Sequence, residues 1–323
     1  MSELRATPGA LRVPPDAAAA AAGLVVAALT AASLLHPELG LYVTQAVGLV
    51  TGILAAGLVL SMTTSGPRPA APSATSLVAT LAKVAFVAGV CSLGFSVLTV
   101  AGNGLRGLSD GLARDVVLRG GDGQSVAVRC LGLVAVSLSV RTRAAGRTAR
   151  LFAVAGAVTV AGSFLLAGHT RTHGPAVLVV LCALAHVLAA AAWVGGLVAL
   201  ALSLRAAHGD QQVAAMLLTR FARLMSFVLT TLLAGGVGLA VLYLPEPAAL
   251  VQTAYGQVLL IKLALVAGLL VISSANHYRL VPLAASGKAR AVQVLRTNIA
   301  VEQIALITVL LITAVLMRQS PGG

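Results

Sequence analysis

The sequence predicts an all-α, polytopic membrane bundle, and three observations support that prediction. Hydrophobic residues make up 59% of the 323 residues and charged residues only 10%, whereas soluble domains are nearer half apolar and a quarter charged. Apolar runs of about 20 residues, long enough to cross a bilayer as helices, recur along the chain. Glycine, proline and charged residues separate these runs, as expected of the turns between helices.

Nine apolar runs are expected to be transmembrane helices, or eight without the fourth, which is short and contains Arg129. Their expected bounds are 17–35, 42–62, 76–101, 124–140, 150–168, 175–204, 221–244, 256–278 and 296–317.

The basic residues predict how the chain is oriented in the membrane. With the N-terminus in the cytoplasm, fourteen basic residues fall in inner segments and five in outer segments. The positive-inside rule therefore predicts an inner N-terminus and an outer C-terminus. Residues 1–16 are then a cytoplasmic tail, 17–168 a five-helix membrane region and 169–323 a four-helix membrane domain. The net charge of +13 does not indicate nucleic-acid binding, because the basic residues are scattered between the apolar runs.

The sixth run contains the strongest candidate for a functional site. An imidazole within hydrocarbon is costly and usually functional, and His186 lies well inside this run. Cys182 precedes it by four residues, which places both side chains on one helix face. Thiolate and imidazole are ligands that suit copper, in particular Cu(I). In the outer loop before this helix, His169 and His173 are expected to receive the metal and pass it on.

Each of these residues also has a structural interpretation that the sequence leaves open. His169 and His173 would then be solvated loop residues, and Cys182 a small buried hydrophobic residue. His186 would be a hydrogen-bond donor between helices.

Further polar residues fall at defined depths in the later helices. Lys262 would repel a bound cation, so it is expected to extend toward the interface or to pair with Glu246. Glu302 lies at a depth close to that of Arg220 and Arg223, and a structural ion pair with one of them is expected. The sequence has no phosphate-binding glycine loop and no Ser-His-Asp grouping, so no enzymatic activity is expected.

Several short motifs follow one another in order over residues 168–318. They are Gly168-His169, His186 with Trp193-Val194-Gly195-Gly196, Arg220-Phe221-Ala222-Arg223, Tyr255-Gly256 with Lys262, Asn276-His277-Tyr278-Arg279, and Arg296 with Glu302. Together they resemble the membrane domain of the bacterial copper-resistance protein D family.

That resemblance implies a multi-pass protein of the inner (cytoplasmic) membrane that moves copper inward. It also implies a periplasmic copper-binding protein as partner. By the same resemblance His169 and His186 are candidate copper ligands, and Trp193 is a packing position. Membrane lipid is a further expected partner, and assembly into a homo-oligomer stays open.

Two other functions remain as alternatives. His186, Trp193 and Lys262 also resemble positions in the membrane protoporphyrinogen oxidase family, in which His and Lys sit near a haem, so a haem-binding redox protein is one alternative. A structural or assembly protein that binds no metal is the other.

Overall fold

The computed structural model describes residues 36–64, 72–141, 146–166, 176–207, 210–243 and 248–319. The regular elements of these residues are helices. The α-helices are α1 (Pro37–Thr64), α2 (Pro72–Ala101), α3 (Gly111–Arg119), α4 (Gly121–Arg141), α5 (Arg147–Ser163), α6 (Ala176–Ala206), α7 (Gln211–Tyr243), α8 (Ala249–Gln252), α9 (Ala254–Ala275), α10 (Val281–Ala285) and α11 (Ala289–Leu316). A 3₁₀ segment (Gly104–Ser109) precedes α3, and a π-helical segment (Asn276–Leu280) joins α9 to α10.

Seven helical spans in the described part of the chain are long and apolar enough to cross a membrane. They are Pro37–Thr63, Ser73–Ala101, Gly121–Arg141, Val177–Ala206, Gln211–Tyr243, Ala254–Ala285 and Arg290–Leu316. The predicted fifth helix is present as α5, which has 17 residues. The predicted first helix, 17–35, lies outside the described residues. A multi-pass helical membrane protein is therefore confirmed, while the count of nine and the orientation stay predictions.

The surface of the bundle is apolar, as a lipid-facing surface requires. Phe227, Val241 and Val271 each leave at least 70% of their surface exposed. The centre is closely packed as well, and Trp193 and Leu58 are at most 2% exposed. Large apolar side chains on both the inside and the outside of a helical bundle are typical of a protein that lies in hydrocarbon.

Capping residues explain why some helices begin before their apolar runs. The side chain of Asp210 accepts hydrogen bonds from the backbone N–H groups of Gln212 and Val213, at 2.9 and 3.1 Å. These bonds satisfy N–H groups that have no partner within the helix. As a result α7 begins at Gln211, well before the apolar run predicted to start at residue 221.

Proline shapes the junction between α9 and α10. Pro282 has no N–H to donate, so the regular hydrogen-bond pattern of the helix is interrupted there. The chain takes up a π turn over Asn276–Leu280, in which Val281 N–H donates to Asn276 O. The extra residue in the turn changes which side chains face the neighbouring helices, and Asn276 becomes buried.

Two glycines allow α1 and α6 to approach closely. Gly57 on α1 lies against Ala191 and Gly195 on α6, and a Cβ atom on Gly57 or Gly195 would overlap the backbone of the opposite helix. Small residues at such contacts let membrane helices pack backbone to backbone. The helix that carries Cys182 and His186 is therefore fixed against the N-terminal part of the bundle.

We expect Gly195→Ala to lower the stability of the protein by about 1–3 kcal/mol, because the added methyl group must push α6 away from α1. Thermal unfolding of the purified protein in detergent measures the change. Gly268→Ala on α9 is the matched control, since a Cβ atom there meets nothing within 4 Å. Equal unfolding temperatures for the two variants would contradict the close contact.

Candidate metal-binding site

His186 is held in one orientation by a hydrogen bond to the neighbouring helix. Its Nδ1 lies 2.8 Å from the backbone carbonyl oxygen of Leu232 on α7. A carbonyl oxygen can only accept, so Nδ1 carries the proton and donates it. The other ring nitrogen, Nε2, then keeps its lone pair. Metal-binding histidines are commonly oriented by such a second hydrogen bond to a carbonyl group.

A glycine-rich stretch of α7 makes room for both candidate ligands. A Cβ atom on Gly236 would lie 3.0 Å from Cε1 and 3.1 Å from Nδ1 of His186. A Cβ atom on Gly238 would lie 2.8 Å from Sγ of Cys182. Both side chains therefore pack against the backbone of α7, on the same face of α6. The shared face is as expected from their spacing of four residues.

Cys182 and His186 are the two described residues of the site that could bind a soft metal. Cys182 is a free, half-buried cysteine. No group of three or more His, Cys, Asp or Glu side chains suited to a metal occurs in the described part of the chain. The predicted outer ligands His169 and His173 lie outside the described residues. Their role stays a prediction.

Lys262 on α9 lies close enough to His186 for their charges to interact. The sequence separation of the two residues gives no sign of this proximity. Lys262 itself is half-buried. Its expected partner Glu246 lies outside the described residues. A positive charge near the imidazole disfavours a bound cation. The position of Lys262 therefore counts against copper binding at His186, as the sequence already suggested.

A second cluster of polar side chains surrounds Glu302 of α11. It meets α6 at Trp193, two helical turns beyond His186. The Glu302 side chain is 3% exposed. Its carboxyl group accepts hydrogen bonds from the side chains of Asn276, Ser273 and Trp193, the first at 2.7 Å. Asn298 Nδ2 in turn donates to Asn276 Oδ1 at 2.6 Å. This network joins α6, the end of α9 and α11, and it satisfies a carboxyl group that would be costly to bury alone.

The expected ion pair of Glu302 with Arg220 or Arg223 is wrong. Arg223 is exposed on α7, and no arginine lies within ion-pair distance of Glu302 among the residues that the structure describes. The reason is local geometry, since the π turn brings Asn276 to Glu302 and an uncharged amide takes the place predicted for a guanidinium. Trp193 was predicted as a packing position. It is buried, and its indole N–H also donates to Glu302.

Several residues of the site were not predicted from the sequence. The hydrogen bond to Leu232 uses a backbone oxygen, which any residue type supplies, so no sequence signal could reveal it. The three glycines of Gly235-Gly236-Val237-Gly238 were a visible signal of close packing. Asn276 and Asn298 were visible as polar residues at the ends of apolar runs.

The fold and its polar groups define a multi-pass helical membrane protein. Residues 215–316 match the model of the copper resistance protein D family, so the similarity covers a segment of the chain and not the whole of it. The matched segment includes most of α7 and all of α8 to α11, with Lys262 and Glu302, whereas Cys182 and His186 precede it. No curated protein and no solved structure matches the chain.

We expect Glu302→Ala to destabilise the protein by about 1–3 kcal/mol, because the donors on Trp193 and Asn276 would lose their acceptor inside the bundle. Thermal unfolding in detergent measures this, and the shift in Trp193 fluorescence reports the change around the indole directly. Thr308→Ala is the control on the same helix, since the Thr308 hydroxyl is exposed and bonds only to its own helix. If Glu302→Ala behaves like Thr308→Ala, the network does not stabilise the bundle.

Proposed function

We propose that this protein carries copper across the cytoplasmic membrane, with Cys182 and His186 as the ligands that hold the ion within the bundle. The match of residues 215–316 to the copper resistance protein D family supports the choice of metal. The observation on which the proposal depends is the hydrogen bond from His186 Nδ1 to Leu232 O, because it leaves Nε2 ready to bind a metal.

The chemistry of the two ligands favours Cu(I). A thiolate is a soft ligand that selects Cu(I), and imidazole binds copper readily. Cys182 loses its proton when the metal binds, since the thiolate is the ligand form. The thiolate then cancels the single charge of Cu(I), so the bound pair is neutral and suits an apolar surrounding.

In this proposal copper moves inward from the outer face. His169 and His173 bind it first, after delivery by a periplasmic copper-binding protein, and Cys182 and His186 bind it next. A monovalent cation that moves inward gains about 2.3 kcal/mol per 100 mV of membrane potential, which supplies a driving force without nucleotide hydrolysis.

Haem binding is the second candidate, and one observation favours it. The structure brings Lys262 close to His186 from a different helix. A His and a Lys that approach each other from different helices agree with the resemblance to membrane protoporphyrinogen oxidases, in which His and Lys sit near a haem. Haem would need a wider space between α6 and α9 than a copper ion, because a macrocycle must lie between these helices.

Elemental analysis of the purified full chain distinguishes the two candidates. We expect about one copper per chain after growth in moderate copper, with little iron and no Soret absorption band. Stoichiometric iron with a Soret band would instead establish haem and exclude the copper proposal. The copper proposal would also be excluded if the purified protein contained neither metal and deletion of its gene left cellular copper unchanged.

We expect His186→Ala and Cys182→Ser each to lower bound copper at least tenfold and to reduce copper accumulation by cells, because each removes one of two ligands. Inductively coupled plasma mass spectrometry measures both quantities. Cys91→Ser is the matched control, since Cys91 is an exposed cysteine on a different helix. A His186→Gln variant that keeps wild-type copper content would show that His186 acts only as a hydrogen-bond donor.

We expect Lys262→Met to raise the affinity for Cu(I) by less than about tenfold, because the thiolate of Cys182 offsets most of the repulsion between Lys262 and the bound ion. Methionine has a similar length and keeps the apolar part of the contact. A competition titration with a chromogenic Cu(I) chelator measures the affinity. A fall in affinity would mean that Lys262 supports the bound metal, contrary to the proposal. Lys288→Met, at the start of α11 and exposed, serves as the control.

A further inference from the structure

A cavity separate from the candidate copper site lies at the end of the bundle where α1 and α4 begin and α11 ends. Its volume is about 240 Å³, and its walls include Gln45, Asp122, Ser125, Arg129 and Arg318. A single water needs about 10–15 Å³, so the cavity has room for a larger polar group. The walls carry two arginines and one acid. Of these, Arg129 lies well inside the spanning helix α4, where a charged side chain is costly and usually functional.

Arg129 of α4 is a buried cation whose contacts are neutral. Its side chain is 6% exposed. Nη2 donates to Ser125 Oγ at 3.0 Å, Nε donates to Ser163 Oγ at 3.3 Å, and the guanidinium lies 4.2 Å from the ring centroid of Phe164. Two of its five N–H groups are used in these bonds, and Nη1 faces Gly48 across the narrow start of the cavity.

The two serines hold Arg129 in place. Ser125 Oγ donates its own proton to Ser163 O at 2.7 Å, and Ser163 Oγ donates to Val160 O at 2.7 Å. Both hydroxyl oxygens are therefore oriented to accept from the guanidinium. The arrangement fixes the position of a charge without neutralising it. Within the described residues, no carboxylate lies within ion-pair distance of Arg129.

Arg318 follows α11 and also lines the cavity. Its Nη1 donates to Gln45 Oε1 at 3.1 Å, and its guanidinium lies 4.5 Å from the ring centroid of Tyr42. Its Nε is buried and has no hydrogen-bond partner among the described residues. A buried N–H group without an acceptor costs free energy.

Asp122 is the one acid of the cavity wall. Ser96 Oγ donates to its Oδ2 at 3.3 Å, and the carboxylate interacts with Arg129 at longer range. The charges of the three ionised side chains add to +1, so the cavity favours an anion. The carboxylate would additionally favour a ligand that carries an amine beside its negative group.

We propose that this cavity binds a phosphate group through Arg129 and Arg318, with Asp122 beside the amine of the same ligand. Guanidinium groups match phosphate oxygens in charge and geometry, and two of them that line one cavity can contact different oxygens. The cavity lies at the ends of spanning helices, where lipid headgroups also lie, and basic pockets between membrane helices bind such headgroups. The phosphate comes either from an ethanolamine phospholipid or from free phosphate in solution.

The test uses the full chain purified in detergent and two kinds of probe. Native mass spectrometry measures retained phosphatidylethanolamine and phosphatidylglycerol, supplied at equal concentration. Equilibrium dialysis with radiolabelled inorganic phosphate measures the soluble source. The variants are Arg318→Gln, Asp122→Asn and, as the matched control, Arg114→Gln, an exposed arginine on α3. Thermal unfolding verifies that each variant is folded. Arg129→Gln is a second variant at the buried position.

We expect the wild-type protein and Arg114→Gln to retain phosphatidylethanolamine in preference to phosphatidylglycerol. Arg318→Gln should lower retention about tenfold, and Asp122→Asn should remove the preference between the two lipids. Phosphate binding that depends on Arg318 without lipid retention would support the phosphate site and assign it to a soluble ligand. If folded Arg318→Gln binds every probe as the wild type does, the proposal is overturned. An unchanged lipid preference in Asp122→Asn would refute the role of the amine.

Discussion

The close approach of α6 to α1 on one side and to α7 on the other determines where the polar groups of the candidate copper site lie. Glycine makes both contacts, through Gly57 and Gly195 toward α1 and through Gly235 to Gly238 toward α7. At this distance His186 reaches a backbone carbonyl of α7 directly. A larger residue at Gly236 would displace the imidazole before it affected any other part of the bundle. The position of the candidate ligands therefore depends on glycines, which leave room for them on the neighbouring helices.

Polar groups inside the bundle are satisfied in three different ways. His186 uses a backbone oxygen, Glu302 uses uncharged side-chain donors, and Arg129 uses hydroxyl groups and an aromatic ring. The donors around Glu302 leave little unmet hydrogen bonding at its carboxyl group, whereas the bond to Leu232 uses only Nδ1 of His186 and leaves Nε2 for the proposed metal. The hydroxyl groups and the aromatic ring around Arg129 leave its full positive charge without a counter-charge beside the cavity. For this reason the cavity beside Arg129 indicates a second ligand, whereas the network around Glu302 does not.

The apolar runs were sufficient to predict the seven membrane-length spans of the described residues, because membrane helices must satisfy their backbone internally and so leave long uniform stretches in the sequence. The spacing of Cys182 and His186 was likewise sufficient to place them on one face. Interactions between helices were harder to predict. Leu232 contributes an oxygen that is independent of residue type, and the proximity of Lys262 to His186 depends on how α9 packs.

The predicted partner of Glu302 was wrong because depth and charge suggested Arg223, while the π turn before Pro282 presented Asn276 instead. Irregular helical turns shift every later side chain around the axis, and their position is not evident from hydropathy. The start of α7 was predicted too late for a different reason. The capping residue Asp210 is readable from the sequence and accounts for the early start of the helix, but hydropathy alone does not use this signal.

Trp193 connects the segment that matches the copper resistance protein D family to a helix that precedes it. Its indole N–H satisfies Glu302, and seven residues earlier on the same helix His186 bonds to α7. Residues 215–316 thus contain an acid and a carbonyl group that each accept a hydrogen bond from α6, which precedes them. A chain cut at residue 215 would lose the indole and the imidazole that donate these bonds, while Asn276 would still donate to Glu302. The matched segment therefore depends on α6 for part of its polar contacts.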